Sequence, residues 1–423
     1  MTLVAFFMLL MIGVPIVFVL LATSSIYIIK TENYMLFESL PQQFFSGIES
    51  YGLLAIPLFM MTGELMNRSG ITQRLIGMGT LFLGSLRGGL AYINIIANMM
   101  MASIMGSAIA QIAVMSKVMV PEMKKQGYDP AYAGALTAAG GLLSPIIPPS
   151  MLFIIYGVLA QVPIGDMFIA GILPGLILFF GFVCVIAILG FKYNYPKGNK
   201  IDRKQMLKDF YLALPAVLIP IVIVGSILLG IATPTESAGV AVVLAFIIGK
   251  VFYNNISMSD IPNIIKETAL SSSAIIILIA GAHILGLVLI FEQIPQQIAV
   301  WITTLTSDPF MFMLLVTLGL LLVGMVLDGI AALILVVPIL LPIAILNYGI
   351  DPVHFGVVVC INLVLGLLTP PVGTGLFVAA DMSNVSIIRM FKALIPFLCV
   401  CLAVLVLLSW QPILTTGLIS LRS

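Results

Sequence analysis

Apolar residues run along this chain in long blocks, near 3–29, 50–66, 75–120, 131–160, 168–191, 211–229, 233–253, 270–291, 310–345, 354–380 and 391–414. A bilayer span needs roughly 20 such residues, so most blocks predict membrane helices, and the chain has room for about a dozen. Short polar turns separate them, such as Asn67-Arg68-Ser69-Gly70 and the segment from Thr304 to Pro309. One connector differs. Residues 192–209 gather Lys192, Lys197, Lys200, Arg203, Lys204 and Lys208, and basic residues beside span ends favour the cytoplasmic side. The first run has no basic residue before it and is longer than a signal h-region, so it reads as the first membrane helix.

Composition agrees with the pattern. Of 423 residues, 61% are hydrophobic and 8% charged, with mean hydropathy +1.22. A soluble domain carries about 25% charged residues, so this chain could not cover itself in water. A net charge of +1 leaves no electrostatic footprint for nucleic acid. Cys184, Cys360, Cys399 and Cys401 lie in apolar runs without metal or redox spacing and read as packing residues.

The basic connector nearly bisects the chain, and the two halves share landmarks in the same order. Asp129-Pro130 is answered by Asp351-Pro352, Gly141 to Pro145 (Gly-Leu-Leu-Ser-Pro) by Gly366 to Pro370 (Gly-Leu-Leu-Thr-Pro), and Leu173-Pro174 by Ile395-Pro396. The offsets stay between 222 and 225 residues, which predicts an internal duplication. Duplicated halves with interrupted helices are typical of secondary transporters. If each half holds an odd number of spans, the second inserts upside down.

Four places interrupt the apolar pattern. In the first half they are Ser103 to Ser107 and Ser144 to Ser150; in the second, Gly324 to Gly329 and Thr369 to Gly375. Proline removes a backbone donor and frees carbonyls from the helix ladder. In hydrocarbon such a break persists only where protein, water or an ion satisfies it. A hard cation suits freed carbonyls and hydroxyls, and the positive end of a half-helix suits an anion. One break can thus hold a cation beside a carboxylate. The runs 98–117 and 315–342, each with a small-residue centre, predict re-entrant hairpins. The breaks within 131–160 and 354–380 predict broken helices.

Asp328 lies in a long apolar stretch where a bare charge is costly; it either helps hold a cation or caps the half-helix after it. Glu64 and Glu236, near segment ends, read as interfacial or capping groups. His283 reads as a packing histidine, and His354 follows the Asp351-Pro352 turn. Neither has a partner at metal spacing. No HExxH, GxSxG or P-loop occurs. An enzyme is therefore not expected, and any transport draws on a gradient or on another chain.

Gly230 to Ala238 (Gly-Ile-Ala-Thr-Pro-Thr-Glu-Ser-Ala), Asp351 to Gly356 and Gly366 to Gly373 resemble the large membrane subunit of tripartite ATP-independent periplasmic (TRAP) transporters. Val120-Pro121-Glu122-Met123, Gly127-Tyr128 and Pro148-Pro149 resemble it too, and the likeness extends over essentially the whole chain. The resemblance implies an importer of organic acids, chiefly C4-dicarboxylates and sialic acid, coupled to a sodium gradient. It also implies a soluble periplasmic binding protein and a small four-helix membrane subunit. That subunit is expected as a separate chain, because this sequence starts directly at the large subunit. An elevator-type architecture follows as well, in which two hairpins and two broken helices form a mobile domain. Carried onto this sequence, one sodium site would join Ser103, Gly106 and Ser107 to Gly140 and Ser144. A second would join Gly324 and Asp328 to Gly366 and Thr369. The substrate carboxylate would lie between Pro149 and Ser150 on one side and Pro371 and Thr374 on the other.

The expected protein is thus an all-α polytopic membrane protein of two inverted repeats, in lipid at the bacterial inner membrane. The expected organisation is a first repeat over 1–191, the linker 192–209, connecting scaffold helices over 210–255 and a second repeat over 256–423. Two or more co-transported sodium ions are expected, and no organic cofactor. The competing readings are a self-contained divalent-anion/sodium symporter, an intramembrane enzyme and a non-transporting scaffold subunit.

Overall fold

A computed structural model describes residues 2–70, 74, 88–193 and 203–421. Among them every regular element is a helix. Half of the basic segment 192–209, residues 194–202, and residues 75–87 of the third apolar run lie outside the described residues. Among the described residues, five helices are long and apolar enough to cross a membrane, or up to seven if each of two sharply bent pairs is one span. This falls short of a dozen because many apolar runs are divided. Run 3–29 folds as two helices, Thr2–Met11 and Ile16–Lys30, parted where Gly13 takes φ +84° and Pro15 follows. Proline cannot supply the donor that would continue the ladder.

The predicted hairpins are present and wider than expected. The first pairs Gly89–Met105 with Ala108–Lys125, and Gly106, at φ +60°, makes the turn. The second pairs Pro309–Gly324 with Gly329–Tyr348. Their ends are set by local chemistry rather than hydropathy. Ser107, Asp308 and Asp328 each cap the helix that follows, satisfying a backbone N–H. Gly349, at φ +63°, terminates the last arm.

Each hairpin is followed by a broken helix. In the first, Pro130–Gly141 ends at Leu142 and the chain resumes helix at Met151–Leu159. In the second, Pro352–Gly366 resumes at Thr374–Ser383. A cis Pro-Pro bond falls in both breaks, Pro148-Pro149 and Pro370-Pro371. Asp129 and Asp351 cap the two broken helices through backbone N–H groups of Ala131 and Val353.

The broken helices run antiparallel to each other. At one end Asp129, where the first begins, pairs with Arg389 just beyond the end of the second, at 2.7 Å. At the other end Tyr156, near the end of the first, donates to the carbonyl of Pro352 at the start of the second. This is the arrangement of inverted repeats. Gly356 makes it possible, since any Cβ there would strike the buried Tyr156 ring.

The remaining helices form a frame beside this unit. Ile261–Phe291 packs on Ile16–Lys30, Met35–Ser46 and Ala55–Arg68, and Pro234–Ile247 packs on Ala55–Arg68. Thr233 and Glu236 make a reciprocal capping box at the start of Pro234–Ile247, and Glu64 pairs with Arg68 one turn away. Both acids therefore serve helix ends, as expected.

Candidate functional site

Each hairpin tip leans on the break of its own half. At Gly106 a Cβ would lie 3.0 Å from Met151 Cγ and 3.7 Å from the Pro149 carbonyl, so the first tip meets the first Pro-Pro break. The second contact is tighter. A Cβ on Gly366 would lie 2.5 Å from the Gly324 carbonyl carbon and 2.6 Å from its Cα. Here backbone touches backbone. The Gly373 N–H also donates to Met325 O at 3.2 Å, tying the second break to the second tip.

These elements enclose a cavity of about 250 Å³. Gly106 and Ser107 of the first tip, Pro149 and Met151 of the first break, and Asp328 and Gly329 of the second tip all line it, with Phe59 and Ser271 from the frame. Three helices begin at its wall, at Ala108, Met151 and Gly329. Helix starts present unpaired N–H groups and a partial positive charge. Among the described residues the lining holds no Lys, Arg or His, and Asp328 is its one charged side chain.

Behind the cavity lies a polar network in otherwise apolar packing. The Asn94 amide donates to Thr137 Oγ1 at 2.7 Å, and the Asn98 amide to Asn94 Oδ1 at 2.7 Å. Gln111 donates to Asn98 Oδ1 at 3.0 Å and reaches Gly140 O at 3.5 Å. All four side chains are fully buried. The oxygens Gln111 Oε1 and Ser144 Oγ have no hydrogen-bond partner among the described residues. Buried polar atoms in that condition call for an explanation. An oxygen-only set of acceptors fits a hard cation, and no cluster of His, Cys, Asp and Glu suited to another metal occurs among the described residues.

Residues 3–414 match the family described as the tripartite ATP-independent periplasmic transporter, DctM component. The chain belongs to this family. It is 34% identical over 409 residues to the sialic acid TRAP transporter large permease protein SiaM of Vibrio cholerae, covering 95% of this chain and 93% of that protein. It is also 34% identical over 380 residues to the C4-dicarboxylate TRAP transporter large permease protein DctM of Pseudomonas aeruginosa, covering 90% and 89%. The fold resembles the crystal structure of the Alcanivorax borkumensis YdaH transporter, with TM-score 0.65, 14% identity, and 89% and 88% of the two chains covered. A DctM component is a transport protein, so the enzyme reading falls.

In this DctM-family permease the expected site residues fall into distinct groups. Gly106, Ser107, Pro149 and Asp328 share the cavity wall. Gly140 and Ser144 are buried, Gly140 against the Asn98 side chain, while Ser103 is half-buried on the first arm. Ser150 is also buried; its hydroxyl donates to Pro145 O and accepts from the Phe153 N–H. Gly324 and Gly366 touch, and Thr369 donates to Leu365 O at 3.0 Å. Pro371 and Thr374 are exposed and do not line this cavity. Asp328 caps its helix through the Ile330 N–H at 3.2 Å, one of the two roles its position allowed.

Two features lie outside the sequence-based expectations. One is the network of Asn94, Asn98, Gln111 and Thr137. Its counterpart in the second half is Asn362, which donates to the Thr317 carbonyl at 3.0 Å. Asn94 and Thr317 differ by 223 positions, and Thr137 and Asn362 by 225. The asparagine and threonine have exchanged places between the repeats, so the offset shared by the other landmarks would have located them. The other is His283, which is exposed on a cavity instead of packed, with no hydrogen bond among the described residues.

Proposed function

We propose that this permease imports an organic carboxylate together with sodium, by alternating access in which hairpins and broken helices move as one body against the frame. The carrying observation is the convergence of three helix starts on a cavity whose wall has no basic side chain among the described residues. Backbone N–H groups can hold a carboxylate there without a permanent cation. The bound anion then needs a mobile counter-charge to cross hydrocarbon cheaply, which sodium supplies.

One ion is held by Ser103, Gly106 and Ser107 with Gly140 and Ser144, and a second by Gly324 and Asp328 with Gly366 and Thr369. The orphaned Ser144 hydroxyl supports the first assignment. Sodium draws each tip onto its break and so orders the N–H groups that receive the carboxylate. Pro149 and Ser150 flank it on one side. Pro371 and Thr374 reach it from the other when sodium draws the second tip onto its break. Relatives named for sialic acid and for C4-dicarboxylate are equally similar, at 34%; of the two solutes we favour sialic acid. A small four-helix membrane subunit and a periplasmic binding protein complete the importer, in the bacterial inner membrane with residues 192–209 on the cytoplasmic side.

The test is uptake of labelled sialic acid and succinate into proteoliposomes holding this chain and its small partner. Binding protein and an inward sodium gradient are each supplied or omitted. Uptake should need both, and Ser144→Leu or Thr369→Leu should abolish the sodium dependence. Full uptake by the chain alone would identify a self-contained symporter. Unchanged sodium dependence in both variants would refute the site assignment.

A further inference from the structure

The helices around the hairpin tips also enclose a second cavity, of about 440 Å³. On helix Ile261–Phe291, Ser271 and Ile275 line the first cavity, whereas Ile279, His283, Gly286 and Ile290 line the second. Steps of three and four residues place them all on one helix face. The half-helix Met151–Leu159 repeats the pattern, giving Met151 and Leu152 to the first cavity and Val158 and Leu159 to the second. So does the hairpin arm Gly329–Tyr348, with Ile330 in the first and Pro338 and Pro342 in the second. The cavities are successive chambers along one groove. At 1.5 Å per residue, about 6 Å of helix separates Ile275 from Ile279.

The second chamber has a polar rim. Gln43 and Ser46 come from the end of helix Met35–Ser46, Ser50 from the turn that follows it, and Gln161 from just past the half-helix. His283 completes it. The imidazole is seated by Gly47, where any Cβ would lie 2.9 Å from His283 Cβ. Its helix neighbours Ala282 and Ile284 are buried, but His283 is exposed to the chamber. Among the described residues the side chains of Gln43, Ser46, Ser50 and His283 make no hydrogen bond within the protein. An ionisable side chain in a long apolar helix marks a functional site unless it is paired.

The rim faces away from the basic segment. Gly52, beside it, abuts Ile164, and a Cβ there would lie 2.7 Å from Ile164 Cδ1. Helix Ile164–Tyr193 then runs 28 residues, Ile164–Phe191, before that segment begins, or about 42 Å. If residues 192–209 are cytoplasmic, the rim is on the outer side.

We propose that this chamber is an entry vestibule, binding the carboxylate of the incoming solute through His283, Gln43, Ser46, Ser50 and Gln161 before the solute reaches the hairpin tips. The inference rests on the reading of the protein as a carboxylate importer. An imidazole offers an N–H donor in either charge state, and amides and hydroxyls add more. Gln43, Ser46, Ser50 and His283, without an internal partner, forfeit no protein bond when they turn to a ligand, and Gln161, whose amide donates to Val158 O at 2.8 Å, has a second N–H to offer. The apolar wall of Leu287, Leu341 and Pro342 suits the carbon skeleton of an organic acid better than an inorganic anion.

Ser46→Cys, in a chain whose exposed Cys184 and Cys399 are changed to Ser, tests this in the reconstituted complex. The probe is a membrane-impermeant, negatively charged methanethiosulfonate. Labelling should block uptake, and the transported acid should slow labelling at least fivefold. His283→Ala should remove most of that protection, whereas His283→Gln, which keeps a donor, should retain it. Labelling that no acid slows, in protein that transports acids, overturns the vestibule and leaves the importer standing. Gln161→Cys reports on the same chamber from its other wall, and absence of labelling at both positions also overturns the vestibule. Failure of the unmodified complex to transport any acid overturns the importer reading itself.

Discussion

Replacing Gly366 with alanine probes the closest backbone contact between a hairpin and a broken helix. The new Cβ would stand 2.5, 2.6 and 2.8 Å from Gly324 C, Cα and O. None of these atoms belongs to a side chain that can rotate away, so the helices themselves must part. Inserting one methyl into close packing costs about 1–3 kcal/mol, and a purely backbone clash belongs at the upper end. At 1.4 kcal/mol per tenfold, 3 kcal/mol corresponds to roughly a hundredfold loss of the packed arrangement. Two controls calibrate the effect. Gly324→Ala meets Leu363 O at 3.1 Å and Gly366 Cα at 3.2 Å, a milder conflict that should cost about 1 kcal/mol. Gly319→Ala, on the same hairpin arm, meets nothing within 4 Å and should be neutral or stabilising by about 0.5–1 kcal/mol. Thermal unfolding in detergent and sodium-dependent uptake should both rank the variants Gly319→Ala, then Gly324→Ala, then Gly366→Ala. A Gly366→Ala protein with wild-type midpoint and uptake would refute the contact.

Three other substitutions test separate parts of the structure. Asn98→Ala removes one of the acceptors for Gln111, leaving its bond to the residue 98 carbonyl, and strands buried Asn94 Oδ1, a cost of about 1–3 kcal/mol; a thermal midpoint equal to wild type would show that the network is not formed. Tyr156→Phe loses only the hydroxyl bond to Pro352 O and should cost about 1 kcal/mol, measured as a modest midpoint shift with uptake retained. Arg389→Ala breaks the pair with Asp129, whose side chains are 61% and 51% exposed, so solvent limits the loss to under about 1 kcal/mol. Burial raises the Asp129 carboxyl's pKa, but Arg389 and backbone N–H groups outweigh it and hold the pKa below the ordinary range. A depressed carboxylate stabilises the fold above its unfolded pKa of about 3.9 and loses that stabilisation as pH falls through the folded value. The midpoint difference between wild type and Arg389→Ala should therefore shrink as pH falls below about 4 and vanish once pH is below the folded pKa, and a difference that does not shrink would contradict the ion pair.

Periodicity and composition alone placed this chain in a membrane, because 8% charged residues cannot solvate a surface. The duplication, both hairpin tips and both helix breaks were also legible, since Pro-Pro and Gly-rich interruptions inside apolar runs are local covalent facts. Helix limits were less so: run 3–29 divides at Gly13 to Pro15, and the hairpin arms extend to capping residues that hydropathy does not weigh. What tertiary structure alone decided is who meets whom. The contact of Gly324 with Gly366 and the convergence of three helix starts on one cavity join residues remote in the chain. Likewise, nothing local distinguishes a histidine packed in a core from His283 facing a chamber. A residue's own chemistry and its near neighbours are written along the chain, but burial and partnership depend on the path of the other helices. That path is set by the summed packing of apolar faces, most of which look alike in sequence.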